Sequence, residues 1–427
     1  MKQVFEELKN RGFCFQFTDE EEVKKLMNGD EPVKFYIGFD PTGSSLHVGH
    51  LLPVMAMRIM QKAGHVPLVL VGGATARIGD PSGKQTARPM MTIDEINYNV
   101  KCLQSQLAHF IKVENGEAIF VNNADWLCSI PYIDMLREVG PIFSVNRMLT
   151  QESVKMRLET GLSFLEFNYS ILQAYDFMTL NQTHNCVLQM GGQDQWGNMV
   201  SGTELIRRKN GKTAHCMTIP LLLDSTGKKF GKTSGGKNVW LDPERTSAFD
   251  YYQFWRNCDD SQVRQLMLYF TDLPIDEIER LCDPEGNVNR AKEILACEAT
   301  AMARGEQAAR EAFAAAGSRF GFADPEGKIA TSSTVSRPVS AQEAELPGLA
   351  IKKAELENGV MICQILVQSG ICKSNSDGRR LIQGGAVSIN GSKISDPAAL
   401  LKLEDFASGS ADLKSGKKNF RRLTIEE

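Results

Sequence analysis

Two short clusters in this chain carry the kinds of side chain that handle phosphate. The first is His47-Val48-Gly49-His50, two histidines three apart with a glycine between them. It follows Pro41-Thr42-Gly43-Ser44-Ser45 and leads into a helical pattern over 51–63 that Gly64 would stop. A helix N-terminus attracts anions through unpaired N–H groups and the macrodipole, and a glycine there lets a nucleotide lie directly on the backbone. His47 and His50 are then placed to touch phosphates. The second cluster is Lys228-Lys229-Phe230-Gly231-Lys232-Thr233-Ser234-Gly235-Gly236, basic and glycine-rich, after the last expected strand of its region. Lysines three apart on a mobile loop, Lys229 and Lys232, can follow charge as it builds on a leaving pyrophosphate. Taken singly, each cluster also fits a plain surface, a turn with two histidines or an exposed basic loop. Their occurrence in this order along one chain is what makes them specific.

The elements that must position these clusters are legible as an α/β pattern. Strand-like runs at 34–39, 67–71, 118–121 and 186–190 alternate with amphipathic stretches, which predicts a parallel sheet. In such sheets ligands sit beyond the carboxyl ends of the strands. Three strand runs here give way to polar or glycine-rich segments: Gly38-Phe39-Asp40-Pro41-Thr42, Gly72-Gly73-Ala74-Thr75 and Gly191-Gly192-Gln193-Asp194-Gln195. Residues 247–316 read as helices, a separate unit. The stretch 317–354, rich in Ala, Ser, Pro and Gly, reads as a linker, and 355–427 as a small α+β module. The expected division is therefore 1–246, 247–316, 317–354 and 355–427.

Bulk properties exclude several classes. With 427 residues, 42% hydrophobic and 23% charged, this is an ordinary globular composition, and apolar runs such as 67–71 and 219–223 are far too short for a bilayer. Glu6 and Glu7 stand where a signal peptide needs an apolar core, so the cytoplasm is the expected compartment. The ten cysteines contain no C-x-x-C pair, which predicts reduced thiols and no zinc site. Net charge is −4, yet residues 351–427 hold 12 Lys and Arg against 9 Asp and Glu, a basic bias at the C-terminal end.

Both clusters resemble the signatures of class I aminoacyl-tRNA synthetases, commonly written H-I-G-H and K-M-S-K-S; the K-F-G-K-T form is similar to that of bacterial tyrosyl-tRNA synthetases. The resemblance continues through Tyr36-Ile37-Gly38-Phe39-Asp40-Pro41-Thr42, Gly79-Asp80-Pro81-Ser82-Gly83-Lys84, Tyr169-Ser170-Ile171-Leu172-Gln173-Ala174-Tyr175-Asp176 and Gly191 to Asn198, and covers essentially the whole chain. It implies a Rossmann-like parallel-sheet catalytic domain, a helical anticodon-side domain and a small RNA-binding domain. The segment from Cys372 through Arg379 and Arg380 to Gly391, a basic helix running into a strand, resembles an RNA-binding module shared with a ribosomal small-subunit protein.

By that resemblance the chain would activate L-tyrosine with ATP to tyrosyl-adenylate, release pyrophosphate, and transfer tyrosine to the 3′ end of tRNA(Tyr), with Mg2+ accompanying the ATP and no protein-built metal cage. The carboxylate is already a nucleophile, so positioning and charge stabilisation are the task. Thr42, His47 and His50 would contact phosphates, Lys84 and Arg88 would come in on a loop, and Lys229 and Lys232 would hold pyrophosphate. Gly38, Asp40, Gly49, Gly192 and Asp194 would line the ATP. Tyr36 and Asp176 would grip the substrate phenol, while Asp80, Tyr169, Gln173 and Gln195 would meet its ammonium and carboxylate ends. Tyr169 and Gln173, four apart on a helical pattern, also fit as ordinary neighbours. Lys373, Arg379, Arg380, Lys417 and Lys418, with Arg421 and Arg422, would meet RNA phosphates. The chain departs from the family at Ile37, often cysteine, and Gln193, often serine; Ile37 cannot bond a ribose and is left out of the site. A homodimer is implied, through an insertion over 126–150 in which Met135, Leu136, Ile142, Phe143 and Met148 supply apolar surface. The competing readings are a tryptophanyl enzyme, a small nucleotidyltransferase of the H-x-G-H type, and a non-catalytic RNA-binding scaffold.

Overall fold

Valine, leucine and proline over Val66–Val71 leave no polar face, and the strand they form is buried on both sides, as a central parallel strand must be. It is β3 of a six-stranded sheet whose other members are β1 (Gln16–Phe17), β2 (Lys34–Phe39), β4 (Ile119–Asn122), β5 (Leu188–Gly192) and β6 (His215–Ile219). The order is β1-β6-β5-β2-β3-β4. All pairs are parallel except β1 with β6, which is antiparallel. From β2 the chain winds outward to β3 and β4 on one side and returns to β5 and β6 on the other, so the direction switches between β2 and β5. A crevice at such a switch, beyond the carboxyl ends, is where open α/β sheets bind ligands. The structure, a computed structural model, describes residues 3–82, 90–225, 227, 230–231, 236–336, 348–406, 409–416 and 419–426. The four strands expected from sequence are present within two residues of their predicted ends. β1 and β6 were not anticipated: β1 is too short to show a period, and β6 is a run of mixed polarity.

Local signals explain the helices that flank the sheet. Leu51–Lys62 ends at Ala63, and Gly64 follows with φ 86°, the left-handed conformation that glycine adopts at no steric cost. Ile93–Phe110 starts from Thr92, whose hydroxyl accepts the Glu95 N–H while the Glu95 carboxylate accepts the Thr92 N–H, a capping box. Tyr169–His184 and Trp196–Asn210 pack on each other, and Phe177 is pressed against Gly202, where an added Cβ would come within 3.0 Å of its ring.

The chain divides into two compact units, Met1–Lys232 with Asn238–Thr246 and Asp259–Val288, and Thr233–Lys237 with Ser247–Cys258 and Asn289–Glu427. The helices predicted over 247–316 are present, as Ala248–Arg256, Val263–Phe270, Ile275–Leu281, Val288–Arg304 and Glu306–Phe320. They do not form a unit of their own. Val263–Phe270 belongs with the sheet because the buried Arg11 guanidinium donates to the carbonyls of Leu268, Thr271 and Leu273, and Arg58 and Lys62 pair with Asp272.

The described residues of the 317–354 stretch, 317–336 and 348–354, are also more ordered than a linker. Glu306–Phe320 runs into it; Glu293 then accepts the Ala323 N–H, Asp324 accepts those of Lys328 and Ile329, and buried Arg290 donates to Ser336. Its end, Gly348–Lys352, is β7, paired parallel with β13. β8 (Val360–Met361) and β11 (Leu400–Leu401) form a two-stranded ribbon. β9 (Val387–Ile389), β10 (Ser392–Ile394), β12 (Ser410–Ser415) and β13 (Asn419–Glu426) complete a five-stranded sheet in the order β10-β9-β12-β13-β7. The β9–β10 hairpin turns on Asn390 (φ 47°) and Gly391 (φ 82°), the pair of left-handed residues that a two-residue hairpin requires. No described helix is long and apolar enough to cross a membrane.

Candidate active site

Tyr169, Gln173 and Asp176 lie at i, i+4 and i+7 of Tyr169–His184 and so share one face of that helix. From them a continuous run of hydrogen bonds crosses the carboxyl ends of the strands. The Tyr169 hydroxyl donates to Asp40 Oδ2 (2.8 Å), Thr75 Oγ1 donates to Asp40 Oδ1 (2.8 Å), and Asn123 Nδ2 donates both to Thr75 Oγ1 and to Asp176 Oδ2 (2.9 Å each). Trp126 Nε1 donates to the other Asp176 oxygen at 2.8 Å. Asn123 is fixed in turn by the Ala74 N–H, which donates to its Oδ1. Gly72 lets this run close up: a Cβ there would meet Asp40 Oδ1 at 2.2 Å and Thr75 Oγ1 at 2.3 Å.

Asp176 is 2% exposed. Burial pushes its carboxyl up to about 8, against the two N–H donors that favour the charged form, and the nearby Asp40 charge adds to the rise. Tyr36 is also buried, and its hydroxyl has no hydrogen-bond partner among the described residues. Burial first, then the Asp176 charge, raises its phenol well above the usual value. On β5, Gln189 lies in register with Tyr36, is 3% exposed, and likewise leaves its Oε1 without a partner among the described residues. Buried polar atoms rarely go unpaired, so these two atoms on the sheet face below the helix are candidates for contact with a bound molecule. A molecule with a hydroxyl at the end of an apolar body fits: Leu68, Leu70 and Phe177 pack with Tyr36 in the same core cluster.

The other end of this run of polar groups is acidic. Asp80 accepts the Ser82 N–H at Oδ1 and Gln195 Nε2 at Oδ2 (2.8 Å), and Asn198 holds the Gln195 Oε1. Burial raises the Tyr169 phenol well above its usual value, and the charges of Asp40, Asp80 and Asp176 push it further in the same direction. Three acidic side chains therefore bear on one hydroxyl, an arrangement suited to a cation. Asp40, expected on the adenosine side, accepts from Tyr169 and Thr75 at the junction of the two ends.

The phosphate-handling clusters meet at two glycines. His47 Nδ1 accepts the Gly49 N–H (3.0 Å) and His50 Nδ1 accepts the His47 N–H (3.1 Å), with the imidazole centroids 3.9 Å apart. An Nδ1 that accepts cannot carry the proton, so both neutral rings hold it on Nε2, as donors to an anion. Gly231 packs on Gly49, where a Cβ would come within 3.1 Å of the Gly49 nitrogen. Gly231 of K-F-G-K-T is thereby seated on H-V-G-H, while Lys229, Lys232 and Thr233, like Lys84 and Arg88, lie outside the described residues. Thr42 and Gly38 are exposed. Gly192 abuts Asp194, leaving no room for a Cβ (2.6 Å to its Oδ1), and Gln193 spends its side-chain oxygen on the Leu221 N–H. Ile37 is buried in the core.

Asn123, Trp126 and Gln189 escaped the sequence reading, and Thr75 entered it only as part of the segment that follows β3. Asn122-Asn123 is the polar segment that ends β4, the same signal that marked three other strand ends, and applying it to the fourth would have found Asn123.

In the C-terminal unit, Lys373, Arg379 and Arg380 are exposed on and just before the helix Asn375–Gln383. Arg421 and Arg422 do not join them. Arg421 donates through both terminal nitrogens to Asp250 (3.0 and 2.9 Å) and is 13% exposed; Arg422 pairs with Asp412. β13 runs past the helix Ala248–Arg256 at this point, so its first arginine is used to hold the sheet to that helix. Lys417 and Lys418 lie outside the described residues.

A sheet that switches direction between β2 and β5, two closely packed histidines at the head of a helix and Gly231 seated on Gly49 are together the marks of a class I aminoacyl-tRNA synthetase. The sequence profile described as tRNA synthetases class I (W and Y) matches residues 27–321, and the chain belongs to that family. Residues 341–423 match the tyrosine–tRNA ligase SYY-like C-terminal domain. The chain is 47% identical over 427 residues, all of each protein, to the tyrosine–tRNA ligase of Clostridium beijerinckii, and 46% identical over 424 residues, 99% of each, to that of Clostridium tetani. Among solved structures, a C-terminally truncated mitochondrial tyrosyl-tRNA synthetase from Aspergillus nidulans aligns at TM-score 0.64 and 28% identity, covering 73% of this chain and 92% of that one.

Proposed function

We propose that the chain is a tyrosine–tRNA ligase. Its substrates are L-tyrosine, ATP and tRNA(Tyr). In the first step a carboxylate oxygen of tyrosine bonds to the α-phosphorus of ATP and the bond to pyrophosphate breaks; in the second a hydroxyl of the terminal ribose of tRNA bonds to the tyrosyl carbonyl carbon and AMP leaves. The observation that carries the reading is the buried Asp176 carboxyl group, fixed by Asn123 and Trp126, with a Tyr36 hydroxyl within reach of its charge that has no partner among the described residues. A phenol hydroxyl donates to the one and accepts from the other, and phenylalanine would leave both without their partner. Asp80, Tyr169 and Gln173 receive the ammonium. His47 and His50 donate from Nε2 to the phosphates of ATP, which enters as its magnesium complex; Thr42, Lys84, Arg88, Lys229 and Lys232 serve the same charge, and Gly38, Gly49, Gly192 and Asp194 flank the nucleotide. Lys373, Arg379 and Arg380 meet tRNA phosphates, joined by Lys417 and Lys418, and the cytoplasm is where the three substrates are found together.

The test is amino-acid-dependent exchange of labelled pyrophosphate into ATP, run with tyrosine, phenylalanine and tryptophan. Exchange with tyrosine alone is expected. Exchange with tryptophan would keep the class and overturn the substrate, and no exchange with any amino acid would leave an RNA-binding scaffold.

A homodimer is part of the same proposal, through a surface somewhat different from the one expected. Met148 is buried, and Met135, Ile142 and Phe143 pack against the chain's own core; of the five residues named from sequence only Leu136 is exposed. The apolar surface is formed instead by Tyr132, Ile133, Leu136, Val145, Phe164 and Leu165, with Ile133 and Phe164 each 69% exposed. A cluster of this kind on one segment marks an interaction site, and a second copy is the partner the family implies. Sedimentation at micromolar concentration is expected to give the mass of two chains, and Phe164→Glu with Ile133→Glu to give one; a monomer before substitution would refute the dimer.

A further inference from the structure

Just after the K-F-G-K-T cluster the backbone pairs with the H-V-G-H segment. The Val48 N–H donates to the Val239 carbonyl, the Leu241 N–H donates to the Leu46 carbonyl, and His47 and Trp240 stand opposite each other as an antiparallel bridge. Opposite residues of such a bridge project to the same side. Their rings accordingly lie close, 6.0 Å between centroids in an edge-on arrangement, while His50 sits 3.9 Å away from the His47 centroid. Trp240 is itself held: the exposed Arg245 guanidinium lies 3.9 Å from the indole centroid, and the Trp240 N–H donates to Thr246 Oγ1 at 3.0 Å. A guanidinium at this distance from an indole is an attractive cation–π pair. Guanidinium, indole and two imidazoles thus form one packed row that ends at the histidines.

We propose that Trp240, clamped by Arg245, is a positioning residue for His47. It fixes the imidazole so that Nε2 faces the ATP phosphates while Nδ1 stays on the Gly49 N–H. The Gly49 N–H fixes Nδ1 and the His50 ring packs on the imidazole; the indole edge adds a further contact that limits rocking of the ring plane about Nδ1. The inference rests on the reading of His47 as a phosphate contact. In reactions that depend on positioning, small displacements of a contact cost large factors in rate.

The experiment measures tyrosine-dependent pyrophosphate exchange by the full chain and by Trp240→Leu, Trp240→Phe, His47→Ala and the double variant Trp240→Leu/His47→Ala, with thermal melting to confirm folding. Trp240→Leu is expected to lower kcat about tenfold with the KM for tyrosine unchanged, Trp240→Phe to restore most of the loss, and Trp240→Leu to cost less than about twofold once His47 is absent. An equal loss in both backgrounds, or none in either, overturns the proposal. A second readout does not depend on activity: 15N spectra of histidine-labelled protein should show His47 as the Nε2-protonated tautomer in the parent and a mixture in Trp240→Leu. If the parent catalyses no exchange, the functional reading fails, and unchanged His47 spectra would sink the positioning role separately.

Discussion

Replacing Asp176 by asparagine is expected to lower kcat/KM for tyrosine activation by about 10²-fold or more, with the KM for ATP within about twofold of the parent, a loss of the order of one charge-assisted hydrogen bond, ~2–3 kcal/mol. The geometry makes this isosteric change severe. Both carboxylate oxygens already accept, one from Asn123 and one from Trp126. Asparagine offers one acceptor and one donor group, so a buried donor is set against another donor, and the substrate hydroxyl loses its charged acceptor. Discrimination against phenylalanine should collapse in the same variant, because a site with no carboxylate to leave unpaired no longer rejects a ring without a hydroxyl. A variant that kept both its rate and its preference for tyrosine would place the phenol elsewhere.

The same residue predicts a pH dependence. Burial holds the Asp176 carboxyl at about 8 in the empty site, well above the ordinary value of 3.8. An acid whose folded-state value is raised binds its proton more tightly in the native state, so this group makes the unliganded protein less stable as pH rises through that interval. A substrate hydroxyl that donates to Asp176 favours the ionised form. Tyrosine binding should therefore expel a proton below about pH 8, and affinity should rise as pH approaches that value. Calorimetry in buffers of different ionisation enthalpy checks this. The proton release should vanish in Asp176→Asn.

How much of this was open to view in the sequence depends on which physical rule applies to each residue. Strands β2 to β5 show their apolar runs, and the segments after them lie where the rule of the carboxyl ends puts a ligand, whereas Tyr36, Asp80, Asp176 and Gln195 were named through the family resemblance and not by that rule. What a linear reading cannot supply is the partner across the pocket. The resemblance puts Asp40 beside the nucleotide; only the fold shows Tyr169, 129 residues away, donating to it. Arg421 and Arg422 read as a basic patch, and charge alone cannot reveal that Asp250, 171 residues away from Arg421, claims the first of them. The helices over 247–316 were legible by period, but their division between two units depends on Arg11 reaching the carbonyls at the end of Val263–Phe270. The apolar residues of 126–150 could not be sorted into inward and outward facing, since short helices carry too few turns to define a face.

Asp80→Asn is the second substitution with a large expected effect, and it separates charge from architecture at the ammonium end. The asparagine keeps the shape and one acceptor for the Ser82 or Gln195 donor, and removes a negative charge from a cluster in which Asp40, Asp80 and Asp176 all bear on Tyr169. With tyrosine, kcat/KM should fall about 10²-fold, the order that a lost charged hydrogen bond of ~2–3 kcal/mol carries. The desamino analogue 3-(4-hydroxyphenyl)propionate supplies the control. It brings a carboxylate and no cation, so in the parent it leaves the acidic cluster uncompensated and should inhibit weakly. In Asp80→Asn that penalty is reduced, and the analogue should inhibit as well as before or better while tyrosine binds worse. Opposite responses of the two ligands follow only if Asp80 acts through its charge on the ammonium. A parallel weakening of both would mean that Asp80 matters for holding Gln195 and Ser82 in place, and the ammonium would have to be assigned to Tyr169 and Gln173 alone.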